Sequence, residues 1–286
     1  MSQQIISGLQ AGSWYALMAL AIVLVLKATD VPNFAMAEMG LFPAFCIWTL
    51  VGPLEQSYWL AVPAGLIIGA ALALLVERVA IRPVLAESHF TTVLMTIAMF
   101  VAINAVTQLV WGSVPRTIDS PFGGSVTVAG QVVDAEQLVS IGAGVAVMLG
   151  LLVFFRSRIG VQMQAIAEDR VTPRLLGVSV NRVFRISWAL AGMIATVAML
   201  LQGQASLLTD QNGAGLVIKG FVAATLGGFS SVTGAFVGGL ALGVAENLAG
   251  DFISTSAKSA VALLAIVVVL TLKPRGLFGR ARAREV

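Results

Sequence analysis

The sequence is poor in the residues that soluble enzymes rely on. Lys, Arg, Asp and Glu together make up only 11% of its 286 residues, where a soluble domain carries about a quarter. Apolar residues reach 58%. A water-soluble fold of this length cannot hide that much apolar side chain, so lipid is the solvent the composition implies. The lone cysteine, Cys46, lies inside an apolar run. That excludes a disulfide within the chain and a thiol metal site. His89 is the only histidine, which excludes a cluster of histidine metal ligands. The start, Met1-Ser2-Gln3-Gln4, has no basic segment, and the apolar stretch 5–26 is too long for a signal-peptide core. It reads as a retained membrane helix. Also missing are the phosphate loop GxxxxGK[ST] and the motifs HExxH, GxSxG and CxxC. The acidic residues are mostly isolated and show no paired nucleophile and base. The chain therefore reads as no enzyme, with no cofactor or metal of its own. The basic tail lacks interleaved aromatics, which leaves nucleic-acid binding without support.

What is present is a succession of apolar stretches. A spanning helix needs about 20 mostly apolar residues. Candidate spans are 5–26, 35–52, 59–76, 91–111, 138–155, 183–201, 216–229, 232–249 and 256–272. Three are weaker: 35–52 holds Glu38 and Pro43, 216–229 is short and carries Lys219, and 256–272 starts with Lys258. The fold class expected is an all-α transmembrane bundle of eight or nine spans with broken helices, one transmembrane unit over 1–286.

The formal charge is only +3, but its distribution orients the chain. Arg156, Arg158, Arg170, Arg174, Arg182 and Arg185 fall between two strong spans, and Lys273, Arg275, Arg280, Arg282 and Arg284 end the chain. Basic residues mark cytoplasmic loops. Stepping back span by span puts Lys27, Arg78 and Arg82 inside too, with Arg116, Lys219 and Lys258 outside. The expectation is an N-terminus outside and a C-terminus in the cytoplasm. Trp14, Tyr15, Trp48, Tyr58, Trp59 and Trp111 then fall toward outer ends, and Trp188 toward an inner end, as interfacial aromatics do.

Two connections are substantial. The external loop 112–137 contains Pro115, Pro121 and Gly123-Gly124, then a β-hairpin signal over 126–133 turning at Ala129-Gly130. The inner segment 156–182 is polar and rich in helix formers, with breaks near Pro173 and Gly177. A short helix beneath the membrane fits it.

Several features bear on function. Gly234/Gly238 and Gly239/Gly243 give two GxxxG spacings, which let helices approach backbone to backbone. Tight packing explains them. A break over 227–234, with Gly227-Gly228 and Ser230-Ser231, is the sharper reading, because irregular backbone in a membrane lies inside protein or beside a water-filled route. The segment 32–40 is a second candidate break. Two interrupted apolar segments point to a transport site. An intramembrane Glu38 is a functional candidate; a helix cap, or a partner for a nearby arginine, is the alternative. Glu246 reads as a packed structural residue pairing with Asn247 or water, and His89 as an inner-loop residue. Asn104 and Gln108, four apart, face a pathway or bond to a neighbouring helix.

These residues carry a resemblance. Gly8-Leu9-Gln10-Ala11-Gly12-Ser13-Trp14-Tyr15-Ala16-Leu17 resembles the first helix of the permeases of branched-chain amino acid ABC importers. Asn33-Phe34-Ala35 through Glu38 is similar to that family's Asn-Phe-Ala-His-Gly-Glu signature, with Met36-Ala37 in place of His-Gly. Glu77-Arg78-Val79-Ala80-Ile81-Arg82-Pro83 resembles its third-helix exit. Ala165-Ile166-Ala167-Glu168-Asp169-Arg170 with Leu176-Gly177-Val178 resembles its coupling segment, although Pro173 is unusual there. Phe221 through Gly228 and Gly234-Ala235 resemble its late glycine motif. The matched blocks occur in order along nearly the whole chain.

The resemblance implies a transmembrane subunit of an ATP-driven importer for branched-chain amino acids or a related small polar solute. A second, homologous permease forms the other half of the route. Two ATPase subunits bind the ATP, and an extracytoplasmic binding protein delivers the solute. Asn33, Glu38, Gly227 and Gly228 are expected along the pathway. Glu168, Asp169, Arg170 and Gly177 are expected to couple to the ATPase, and Gly234, Gly238, Gly239 and Gly243 to pack helices. The rival classes are a self-sufficient secondary transporter or channel, which would need deep ion-coupling carboxylates, and an intramembrane enzyme.

Overall fold

A computed structural model describes residues 2–85, 87–128, 131–169, 172–254, 257–273 and 276–279. Every apolar stretch is helical: α1 (Ser2–Thr29), α2 (Met36–Val51), α3 (Tyr58–Val76), α5 (His89–Trp111), α6 (Ala135–Arg156), α9 (Val180–Ala205), α10 (Asn212–Gly227), α11 (Val232–Phe252) and α12 (Ala257–Leu272). Helix α3 runs on through a π-helical turn, Glu77–Ile81, into a short α4 (Arg82–Val84).

Among the described residues, six helices are long and apolar enough to cross a membrane: Gln3–Thr29, Tyr58–Val84, His89–Trp111, Ala135–Arg156, Val180–Ala205 and Val232–Phe252. The expected eight or nine spans are thus not reached by helices of full length, and three of the expected spans are short helices. Helices α2, α10 and α12 have 16 residues each. At 1.5 Å per residue that is about 24 Å, less than the roughly 30 Å of a hydrocarbon core.

Helix α1 is the hub, buried along most of its length. It crosses α11 at very short range because small residues meet there. A Cβ on Gly12 would lie 2.8 Å from the Leu240 Cα, and Gly239 lies against Ala16 in the same way. Without side chains between them, the backbones themselves touch, which gains dispersion contacts where lipid offers no hydrophobic drive. Helix α9 plays a similar part on the other side, with Gly192 on Gly69 of α3 and Ala195 on Gly40 of α2. Two of the aromatics placed toward span ends, Tyr15 and Trp188, are buried within the bundle.

The loop 112–137 forms the antiparallel hairpin β1 (Ser125–Val128) and β2 (Gln131–Asp134), with Val126 opposite Val133. The proposed turn at Ala129-Gly130 lies outside the described residues. Arg116 pairs with Leu208 through two backbone hydrogen bonds, 2.9 and 2.8 Å, so this loop is tied to the connection before α10. At the opposite end lie α7 (Arg158–Glu168) and α8 (Thr172–Leu175). Helix α7 buries Gly160, Met163 and Ile166, a spacing that fits one helical face. His89, expected in a loop, opens α5, where the Ser88 hydroxyl caps the helix by accepting from the Thr91 N–H.

Candidate functional site

The short helices α2 and α10 meet by their N-terminal turns inside the bundle. Glu38 lies in the first turn of α2 and Gly213 is the second residue of α10. The Glu38 carboxylate rests on Gly213, in the volume a side chain at 213 would fill. Asn33 prepares this entry. Its side-chain oxygen accepts from the Ala35 N–H at 3.0 Å, turning the chain into α2, while its amide faces the Met39 sulfur at 3.5 Å. The Phe34 N–H donates to the Thr96 hydroxyl at 3.4 Å, and its ring packs on Phe221, 4.7 Å between centroids.

Glu38 is wholly buried, with 0% of its surface exposed. Its Oε2 accepts from the Asn104 side-chain amide at 3.2 Å, and its Oε1 has no hydrogen-bond partner among the described residues. The same Asn104 amide donates to the main-chain oxygen of Asp210 at 2.8 Å. Gln108, one turn along α5, donates to the Asn104 oxygen at 2.7 Å. Ser113 donates to the Asp210 carboxylate at 3.2 Å. One polar network thus joins α2, α5 and the loop before α10. It reaches the subunit surface at Gln108, which is exposed among the apolar Val106, Leu109 and Val110.

Three glutamates are buried, and they differ in what faces them. Glu77 accepts a salt bridge from Arg82 at 2.9 Å, and Glu246 one from Lys219 at 2.8 Å. Among the described residues, no basic side chain pairs with Glu38, so the arginine partner considered from sequence is not there. The helix termini beside it stabilise a carboxylate by about 1 kcal/mol each. A cation 4 Å away would contribute about 4 kcal/mol at an effective dielectric constant of 20. Hydrogen bonding and dipoles alone leave this acid undercompensated.

The other expected pathway residues lie elsewhere. Gly227 and Gly228 end α10, about 21 Å along the helix from Gly213 at 1.5 Å per residue. Gly228 has φ 95°, a conformation that favours glycine. The break is covered by the chain end: the Leu277 N–H donates to the Leu226 oxygen at 2.8 Å and the Phe278 N–H to the Gly227 oxygen at 3.1 Å. Gly234 packs on Gly227, Gly238 on Ala223, and Gly243 on Gly12. Glu246 bonds to Lys219 and Tyr15 rather than Asn247.

In the segment 156–182, Glu168 and Asp169 are exposed at the end of α7, and Asp169 accepts from the Thr172 N–H at 3.0 Å, starting α8. Gly177 is exposed with φ 80°. Arg170 lies outside the described residues. Leu175 and Leu176, missed as candidates, project into the open at 82% and 79% exposure. Asp210 was also missed. Its signal was the polar run Thr209-Asp210-Gln211-Asn212 immediately before a short helix.

Residues 4–272 match the family described as the permease component of branched-chain amino acid transport systems. The high-affinity branched-chain amino acid permease protein LivH of Salmonella typhimurium is 31% identical, over 99% of this chain and 97% of its own. BraD of Pseudomonas aeruginosa, a protein of the same description, is also 31% identical over the same shares. The probable LivH of Methanocaldococcus jannaschii is 22% identical over 92% of this chain and 88% of its own. Among solved structures, PsaBC from Streptococcus pneumoniae in complex with Fab shares the fold, with a TM-score of 0.52 at 14% identity, covering 95% of this chain and 91% of that one.

Proposed function

Since the chain belongs to the branched-chain amino acid permease family of ABC transport systems, we propose that it is the transmembrane subunit of an ATP-driven importer for branched-chain amino acids or a related small polar solute. It forms half of the translocation route, and a second homologous permease forms the other half. It is not an enzyme. Two separate ATP-binding subunits hydrolyse the nucleotide, and an extracytoplasmic binding protein supplies the solute. The protein is multi-pass, with its N-terminus outside and its C-terminus in the cytoplasm.

The observation that carries the transport reading is the polar network around Glu38. Groups of this kind inside an apolar bundle are costly and mark solute or ion routes. Meeting half-length helices are a recurrent way to build such a site. Asn33 shapes the entry, and Glu38 faces the route. Gly227 and Gly228 act further along as a packed hinge under the C-terminal segment. The glycines at 234, 238, 239 and 243 hold α11 against its neighbours.

The α7–α8 segment is the surface for the ATPase. Glu168, Asp169 and Arg170 supply polar contacts, Leu175 and Leu176 supply an apolar knob, and Gly177 permits the turn behind them. Basic residues at this end support its cytoplasmic placement: Lys27 lies 5.9 Å over the Phe155 ring, and Arg182 and Arg185 line one cleft with Leu74.

The test is uptake into proteoliposomes. Leucine accumulation that needs ATP, both ATPase subunits, the partner permease and the binding protein is the expected result. Uptake by this chain alone, without ATP, would replace the importer with a secondary transporter or channel.

A further inference from the structure

We infer that the Glu38 carboxylate, with Asn104 and Asp210, is the station in this subunit that receives the ammonium group of the passing solute. This rests on the import reading above and adds the chemical group recognised. The buried carboxylate has one oxygen held by Asn104 and one without a hydrogen-bond partner among the described residues, and Glu77 and Glu246 likewise leave one oxygen unpaired, so what sets Glu38 apart is its lack of a cation. The two other buried glutamates are each held by a cation of the chain itself, Arg82 and Lys219. Asp210 adds a second acidic side chain, which interacts electrostatically with Glu38 as like charge with like. The pair therefore presents negative charge without a positive partner among the described residues.

The free oxygen packs on Gly213, so the carboxylate itself fills the space a side chain there would take. Asn104 turns its amide to Glu38 and to the Asp210 main chain, and Gln108 leads from there to the subunit surface. A primary ammonium supplies three donors. It can bond to the free Glu38 oxygen and balance both acids. A carboxylate, by contrast, is repelled from this end, so an amino acid enters amine first.

The experiment uses the permease–ATPase complex in detergent and equilibrium binding of radiolabelled 3-methylbutylamine, an ammonium with a branched apolar tail. The amine should bind, and Glu38→Gln should weaken its binding by about tenfold, equivalent to about 1.4 kcal/mol. Glu38→Asp, which keeps the charge, should retain binding, and the acid 4-methylpentanoate should not displace the amine. No binding to the native complex, undiminished binding by Glu38→Gln, or displacement by the acid would each overturn the assignment. The assay does not depend on uptake, so failed import with intact amine binding would strike the import reading alone.

Discussion

Lys219 on α10 meets Glu246 on α11 at 2.8 Å, and the Tyr15 hydroxyl of α1 donates to the same glutamate oxygen at 2.9 Å. Lys219 also donates to the Tyr15 oxygen at 2.6 Å and lies 4.7 Å over its ring. Three helices converge on one carboxylate. Its charge is matched by Lys219, whereas among the described residues no basic side chain pairs with Glu38.

That match gives the first prediction. Lys219→Met leaves Glu246 buried without a counter-charge. Removing one partner of a buried pair costs 3–5 kcal/mol, and Lys219 is about one-third exposed, so about 3 kcal/mol is expected. Thermal unfolding in detergent checks it. Adding Glu246→Met should recover most of the loss, because two apolar side chains fill the site without stranding a charge.

A second prediction concerns Gly213. A methyl group there enters the volume of the Glu38 carboxylate. Gly213→Ala should cost about 1–3 kcal/mol through overpacking and depress uptake by the complete transporter. Combining it with Glu38→Asp, which draws the carboxylate back by one methylene, should recover stability. If Gly213→Ala transports at the native rate with native stability, the carboxylate does not rest on this glycine.

The helices were legible in the sequence because lipid-facing and core-facing residues are both apolar, so each long run announces itself. Their number of crossings was less legible. The runs now seen as α2 and α10 gave no sign that one helix starts beside the start of the other. Glu38 stood out as an acid in an apolar run. Its partners did not, since Asn104 and Asp210 lie 66 and 172 residues away and only tertiary packing joins them. Lys219 read as a flank marking the outer face, yet it is paired at Glu246. Tyr15 read as an interfacial ring for the same reason: sequence gives its amphipathic chemistry but not the carboxylate it meets.

The glycines divide by what surrounds them. At Gly239 a Cβ would strike the Ala16 backbone, whereas at Gly150 of α6 nothing lies within 4 Å. Gly239→Ala should therefore destabilise by about 1–3 kcal/mol. Gly150→Ala should be neutral or stabilise by up to about 1 kcal/mol through helix propensity. Unfolding temperatures of the two variants, measured side by side, decide it. Equal effects would show that the α1–α11 crossing is looser than described.

Orientation is open to direct labelling. In a Cys46→Ser background, Leu175→Cys should react with an impermeant maleimide only when the cytoplasmic face is exposed. Gly123→Cys, in the external loop, should react from outside intact cells. The reverse pattern would put α7 and α8 beyond reach of an ATPase and remove the coupling role with them.

The surface proposed for coupling combines charge and apolar reach. Glu168 is exposed at the end of α7, and Leu175 and Leu176 project beyond it. Charges at an interface rim steer and register a partner, whereas buried apolar anchors hold it. The two kinds of variant should therefore fail differently. Glu168→Arg should leave the ATPase subunits bound and hydrolysing ATP while leucine uptake falls, because the helix no longer follows their motion. Leu175→Ser with Leu176→Ser should reduce co-purification of the ATPase itself. Hydrolysis, uptake and subunit recovery measured on the same preparations separate these outcomes. Normal coupled uptake in both variants would mean that the motor seats elsewhere on the inner face.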